Sequence, residues 1–414
     1  MKTRIRLAAA LFLFSITVTG APVTECFAYT LQPAVILSEE YNDNIFLTPR
    51  DPVTDYITRV VPSINLLYTS SLWDWNVTYA YDYRYYAKKT VAGDSTHRLN
   101  LLNHTTILKE LFFMDVTDNY FRVSTDFLHD YTQQSLFVHQ SDTNVLSVKP
   151  YFYMNLSSRM TATTGYEYRN VWYKDPLAID KTDNIVFADV NNALSLRTIL
   201  TAGIKYTQTQ NKILDFYKTD LYIGPRYEYA PGSNLWFIIG NSRFHSDQTG
   251  STSQVFWDIG FAHNYRTYTL SFNTALTYID DAFRVLRRED RYVGTFNKTT
   301  DRFTLVLTAG LWEYREIESK HLQNSKYSTG GSISYNITPA LKGDYSLTVN
   351  RYEDNQNKTF SMLYLNVVGF EYLVAENTTL ALNYQNNHGY SPDAVNFNQN
   401  YDNNRIILEL KKQF

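Results

Sequence analysis

The residues of this chain best suited to metal binding or proton transfer are its 8 histidines, and their spacing favours neither task. They stand at positions 97, 104, 129, 139, 245, 263, 321 and 388, and no pair makes HExxH or another close ligand spacing. His97 and His104 are separated by an odd step, which on an extended strand sends the two rings to opposite faces. Ser246 follows His245 directly and would face away from it, and neither His245 nor His263 has a serine in a persuasive context, so no Ser–His dyad for acyl transfer is expected. The chain contains no GxSxG, no P-loop and no CxxCH for haem attachment. Cys26 is the single cysteine and falls within the leader described below, so the remaining chain has no thiol nucleophile and no disulfide. These observations predict a non-enzyme with no metal and no cofactor.

What remains is paired charge. Asp82 with Arg84, and Glu167 with Arg169, place acid and base two residues apart, on one face of a strand. Lys205, Lys218, Asp220, Arg226, Glu228, Asp344, Arg405 and Glu409 extend the same mixed set. Such a set can line a pore and set its field, or brace a wall by pairing across strands. Both signs are present, so no strong anion or cation selectivity is expected.

The elements that carry these charges are strands. In WDWNVTYAYDYRY (73–85), Trp73, Trp75, Val77, Tyr79, Tyr81, Tyr83 and Tyr85 share one parity, and Asp82 and Arg84 lie on the other. TYTLSFNTALTY (267–278) alternates in the same way, from Tyr268 to Tyr278. No helix-period segment and no linker interrupts the pattern, which predicts one domain over 29–414. The connections alternate between tight turns (near 70, 110, 157, 232, 299, 338 and 376) and longer polar loops (42–55, 88–97, 126–142, 174–183 and 387–403). Short and long in alternation means that one end of the sheet carries turns and the other loops, as in an up-and-down barrel. About 18–20 strands are counted. Three hairpins resemble one another, each with a proline (Pro62, Pro150, Pro225) ahead of a tight turn, and those prolines are expected at bulges.

Which face meets which solvent follows from composition. Charged residues are 19% of the chain, against roughly 25% in soluble domains. The 35 tyrosines need large sheet faces that accommodate amphipathic rings. The apolar parity is therefore assigned to lipid and the hydroxyl- and amide-rich parity to the inside. Trp73, Trp75, Tyr83, Tyr85, Tyr268 and Tyr278 form the expected aromatic girdle. The net charge of −3 gives no footprint for nucleic acid. At the N-terminus, Lys2, Arg4 and Arg6 precede an apolar run ending before Cys26 and Ala28, which reads as a secretory leader over 1–28. At the other end Ile406, Leu408, Leu410 and Phe414 share a parity, with Lys412 the one departure. A last strand ending in phenylalanine resembles the signal that barrels present to their assembly machinery.

The stretch Ser38-Glu-Glu-Tyr-Asn-Asp-Asn-Ile-Phe-Leu47, followed by a polar loop and Val60-Val-Pro-Ser-Ile-Asn-Leu66, resembles the opening of the outer-membrane β-barrel porins of the porin 2 type. Members often accompany exopolysaccharide or exosortase loci. The resemblance covers about the first 40 residues after the leader, and beyond them only the strand pattern is shared. It implies an all-β transmembrane antiparallel barrel in a bacterial outer membrane, with lipid, the assembly machinery and polysaccharide or periplasmic export components as partners. The function expected is a porin-like conduit linked to exopolysaccharide export. The alternatives are a non-conducting scaffold barrel for a periplasmic partner and a barrel-embedded acyl hydrolase. The long loops 126–142 and 387–403 are the ones considered for gating such a pore.

Overall fold

The computed structural model describes residues 28–126, 140–212, 215–246, 250–279, 287–317, 319–392 and 400–414. The leader region lies outside these, except Ala28, which opens the first strand. Twenty strands follow: β1 (Ala28–Asn42), β2 (Asp55–Thr69), β3 (Trp73–Tyr86), β4 (Asp94–Leu108), β5 (Phe112–Ser124), β6 (Gln140–Ser157), β7 (Met160–Tyr173), β8 (Lys181–Ser195), β9 (Thr198–Asn211) and β10 (Phe216–Ala230). The second half continues with β11 (Ser233–Ser246), β12 (Gly250–Tyr265), β13 (Tyr268–Ile279), β14 (Arg287–Thr299), β15 (Phe303–Arg315), β16 (Leu322–Asn336), β17 (Leu341–Asp354), β18 (Thr359–Ala375), β19 (Thr378–Tyr390) and β20 (Tyr401–Gln413). Each strand pairs antiparallel with its sequence neighbours, and β1 pairs with β20 from Ala34↔Gln413 to Asn42↔Arg405. The sheet is thus a closed up-and-down barrel with no free edge. The count lies at the upper end of the expected range.

The two faces separate as the alternation requires. On β3, Tyr79, Tyr83 and Tyr85 are exposed while Asp82, Arg84 and Tyr86 are buried. A water-soluble core would show the reverse. Exposed Leu235, Phe237 and Ile239 on β11, with Leu270 and Phe272 on β13, continue the apolar outer belt. Lys412 also points outward, but its ammonium reaches the Glu376 carbonyl at 3.3 Å beside the β18–β19 turn, so the charge leaves the belt at the rim. Near the loop end the outer face turns ionic. Arg288 and Arg315 share Asp290 at 2.8 and 3.2 Å, and Arg351 pairs with Glu353 at 2.7 Å.

The three prolines do not sit at bulges. The ladder skips the residues around Pro62, Pro150 and Pro225 and resumes in unchanged register: Val60↔Tyr83 then Ser63↔Ala80, Val148↔Tyr168 then Tyr151↔Gly165, Ile223↔Ile239 then Arg226↔Trp236. The missing N–H removes one rung, and the neighbouring strand keeps its alignment because rungs on both sides hold it. Register shifts fall instead at strand ends, mostly beside the tight turns, as at Asn155/Ser157 and Ala193/Ser195, and once at the loop end of β15, at Tyr314/Arg315.

Because outward Phe272 lies in the middle of its strand, Phe272→Arg should lower folding stability in lipid vesicles by about 2–4 kcal/mol. Inward-facing Ser271→Arg on the same strand should cost much less. Equilibrium denaturant titrations of the two variants measure the difference.

Candidate functional site: the lumen and its constriction

The inner wall is crosslinked by charge. Asp82, with no exposed surface, accepts a two-point bond from Arg59 on β2 (2.8 and 2.7 Å), another from Arg84 at 2.9 Å, and a longer contact from Arg98 on β4. Arg122 on β5 bridges Asp94 and Asp142 at 2.7 and 2.8 Å, and Lys174 closes on Asp142 at 3.2 Å. Across the closing seam, Arg405 on β20 makes a two-point bond to Glu40 on β1 at 2.7 and 2.8 Å. The belt runs from β20 through β1 to β6. Fork-shaped guanidiniums suit it, because each can hold carboxylates from two strands at once.

The other inward charges are more local. Glu167 and Arg169 do not pair with each other: Glu167 accepts from Ser147, and Arg169 lies 3.9 Å from Asp183. Lys218 pairs with Asp220 at 3.0 Å, and Lys205 stands opposite Asp220 in the β9–β10 ladder. Asp344 accepts from Ser334 and pairs with Lys342. Arg226 is exposed on the inner parity opposite Trp236, and Glu409 stands opposite Ser38. Glu228 reaches the β10–β11 turn and accepts the Gly232 N–H at 2.8 Å, so it caps that turn.

Of the girdle residues, Trp73 and Trp75 stand at the turn end of β3, and Tyr83 and Tyr85 at its loop end. Tyr268 stacks into an outward cluster with His263, Tyr265 and Phe296, its ring 5.3 Å from Tyr265. Tyr278 departs from this pattern. The β12–β13 ladder ends at Trp257↔Leu276, and above it Tyr278 fills the seam, its hydroxyl donating to the Val255 carbonyl at 3.3 Å and its ring edge-on to Phe244. Phe414 is exposed at the end of β20, with its backbone N–H donating to the Pro33 carbonyl at 2.9 Å.

Sequence reasoning missed the segment that narrows the lumen. Residues 43–54, counted among the long polar loops, fold inward. Ile45 is buried against Ile57 and Tyr86 of the β2–β3 wall. Leu47 is buried against Tyr314, Tyr352, Leu363 and Tyr401, on β15, β17, β18 and β20. The loop therefore bridges two separate stretches of wall. Asn44, 1% exposed, donates to the Thr48 and Asp402 carbonyls at 2.9 and 3.0 Å, and Asn403 donates to Asn42 and to the Asn44 carbonyl. Buried Asp55 accepts from the Tyr56 and Lys88 N–H groups and from Thr90, fixing the loop's return. The available signal was Ile45-Phe46-Leu47, an apolar run inside a loop otherwise built for water. The centres of the two loops considered for gating, 127–139 and 393–399, lie outside the described residues.

A second feature also escaped. His245 Nδ1 lies 3.0 Å from Ser251 Oγ, its partner across the β11–β12 hairpin. Adjacent Ser246 was the wrong serine to test, since cross-strand neighbours share a face whereas sequence neighbours do not.

A closed antiparallel barrel with an apolar outer belt and a charged interior is the architecture of outer-membrane β-barrel proteins. Comparison with solved structures agrees on the fold. The chain is similar to the FrpB iron transporter from Neisseria meningitidis (F3-3 variant) at 11% identity and TM-score 0.50, covering 92% of this chain and 82% of that one. Similarity to a point mutant of the ferric enterobactin receptor PfeA from Pseudomonas aeruginosa is 10% identity and TM-score 0.52, covering 93% and 80%. For the siderophore receptor PirA from the same organism the values are 10% and 0.50, covering 96% and 81%. No protein-family model and no curated protein matches the chain.

Removing the carboxylate of Asp82 strands Arg59 and Arg84 on the inner wall. Asp82→Ala should therefore destabilise the barrel by about 3–5 kcal/mol, the cost of breaking a buried pair from one side. Asp344→Ala, at a half-exposed pair, should cost under about 1 kcal/mol. Denaturant titration of heat-modifiable, folded protein reads both.

Proposed function

We propose that this chain is a passive, porin-like conduit of the bacterial outer membrane, related to the porin 2 type and linked to exopolysaccharide export. The observation that carries the reading is the contrast between the two faces. The outer one is apolar between its rims, and the inner one carries fixed carboxylates, guanidiniums and amides from nearly every strand. Such a wall favours water and hydrated solutes along its length. The inner charges mostly neutralise one another in pairs, so the field along the path is weak and neither sign of ion is strongly preferred. Loop 43–54 is tied to two stretches of the inner wall, which makes it a fixed constriction. Lipid, the barrel-assembly machinery and polysaccharide or periplasmic export components are the partners this reading implies.

A scaffold barrel around a periplasmic partner is the competing reading, and the bridging loop favours it to the extent that it closes the mouth. The His245–Ser251 pair keeps an acyl hydrolase in view as a third.

Purified, heat-modifiable protein in planar bilayers should give discrete conductance steps with little ion selectivity, and deleting 45–53 should enlarge them. Silent bilayers from folded protein, unchanged by the deletion, would overturn the conduit and favour the scaffold. Loss of acyl-ester hydrolysis in Ser251→Ala would favour the third reading instead.

A further inference from the structure

On the inner wall of β9 to β12, glycines and aromatic rings alternate across the strands. Gly203 stands opposite Tyr222, Tyr222 opposite Gly240, and Gly240 opposite Phe256. Nearer the turn end, Trp236 stands opposite Gly260. In three of these pairs the ring occupies the space that a Cβ on the glycine would need: Tyr222 over Gly203, Phe256 over Gly240, Trp236 over Gly260. The outer ends of these rings reach over the glycines, and Tyr222 and Phe256 meet edge-on with centroids 6.4 Å apart. Tyr222, Trp236 and Phe256 are all half-buried, which leaves part of each ring exposed on the inner parity.

Polar groups sit at the edges of these rings. The Trp236 Nε1–H donates to Asp258 at 2.8 Å, Asn273 donates to the same carboxylate at 2.7 Å, and the Tyr222 hydroxyl donates to Asp189. Asp258 is held from both sides and Asp189 stands opposite Gly203, so each carboxylate is fixed beside a ring face.

We infer that the faces of Tyr222, Trp236 and Phe256 form a track that binds the flat faces of neutral pyranose rings. A pyranose presents an apolar C–H face to an aromatic ring and equatorial hydroxyls to acceptors at that ring's edge, and the track supplies both. Asp189 and Asp258 accept hydroxyl protons at the ring edges, and exposed Arg226, opposite Trp236, supplies a donor beside them. The inference deepens the conduit reading and rests on it for its biological setting, but binding itself requires no flow.

Two measurements keep the ideas separable. In detergent, maltohexaose and cellohexaose should change the tryptophan fluorescence of the folded protein. Tyr222→Leu and Trp236→Leu should each weaken the neutral sugars about tenfold, equivalent to about 1.4 kcal/mol. Trp236→Phe, which keeps a ring but loses the bond to Asp258, should retain most of the affinity, read by calorimetry. If Trp236→Leu does not assemble, Tyr222→Leu carries the test. In bilayers the same sugars should block current in the parent protein. Block absent from a conducting channel, or unchanged affinity in the leucine variants, would overturn the track and leave the conduit standing. Silent bilayers with intact fluorescence binding would overturn the conduit and leave the track standing.

Discussion

The constraint on which this structure depends is that hydrocarbon offers no hydrogen bond to a peptide group. Each strand that crosses must give its N–H and C=O groups to neighbours, and a sheet can do so for all its strands only by meeting itself. The pairing of β1 with β20 is therefore the contact that makes the other nineteen hairpin and turn pairings tolerable in a membrane. Its polar reinforcement lies on the inner face, where Glu40 and Arg405 bind across the seam and Asn42 and Asn403 join just above. The prolines fit the same logic, since each removes a rung where the ladder on both sides is already in register.

Closure creates the second problem, an interior too polar to collapse and too crowded to leave its charges free. Asp82 and Asp142 are buried because several cations converge on each. Their arrangement crosslinks the inner wall from β2 to β6. The loop at 43–54 uses the same interior differently. It buries apolar side chains at two places on the wall and satisfies its own backbone through Asn44, Asn403 and Asp55. Ion pairs along the wall and a tied loop together hold the interior of the barrel in one arrangement.

Much of this was legible in the chain before folding. Alternation in 73–85 assigns Asp82 and Arg84 to one face and Tyr83 and Tyr85 to the other without any knowledge of neighbours. The alternation of tight and long connections orients every strand. The inward placement of Glu167, Arg169, Lys205 and Asp220 follows by the same parity. What parity cannot give is the partner: Glu167 and Arg169 look like a pair and bind Ser147 and Asp183 instead. Nor does it show Tyr278 leaving the girdle, because that depends on where the β12–β13 ladder stops.

The sequence by itself determined the class of fold, the two faces and their solvents, because side-chain direction along a strand repeats every two residues whatever the strand lies beside. Only the tertiary structure decided which charges meet, which serine faces His245, where Ile45 and Leu47 are buried, and which rings lie over glycines. Those are contacts between residues far apart in the chain, and they depend on the register of the closed barrel, which is a property of all the strands together.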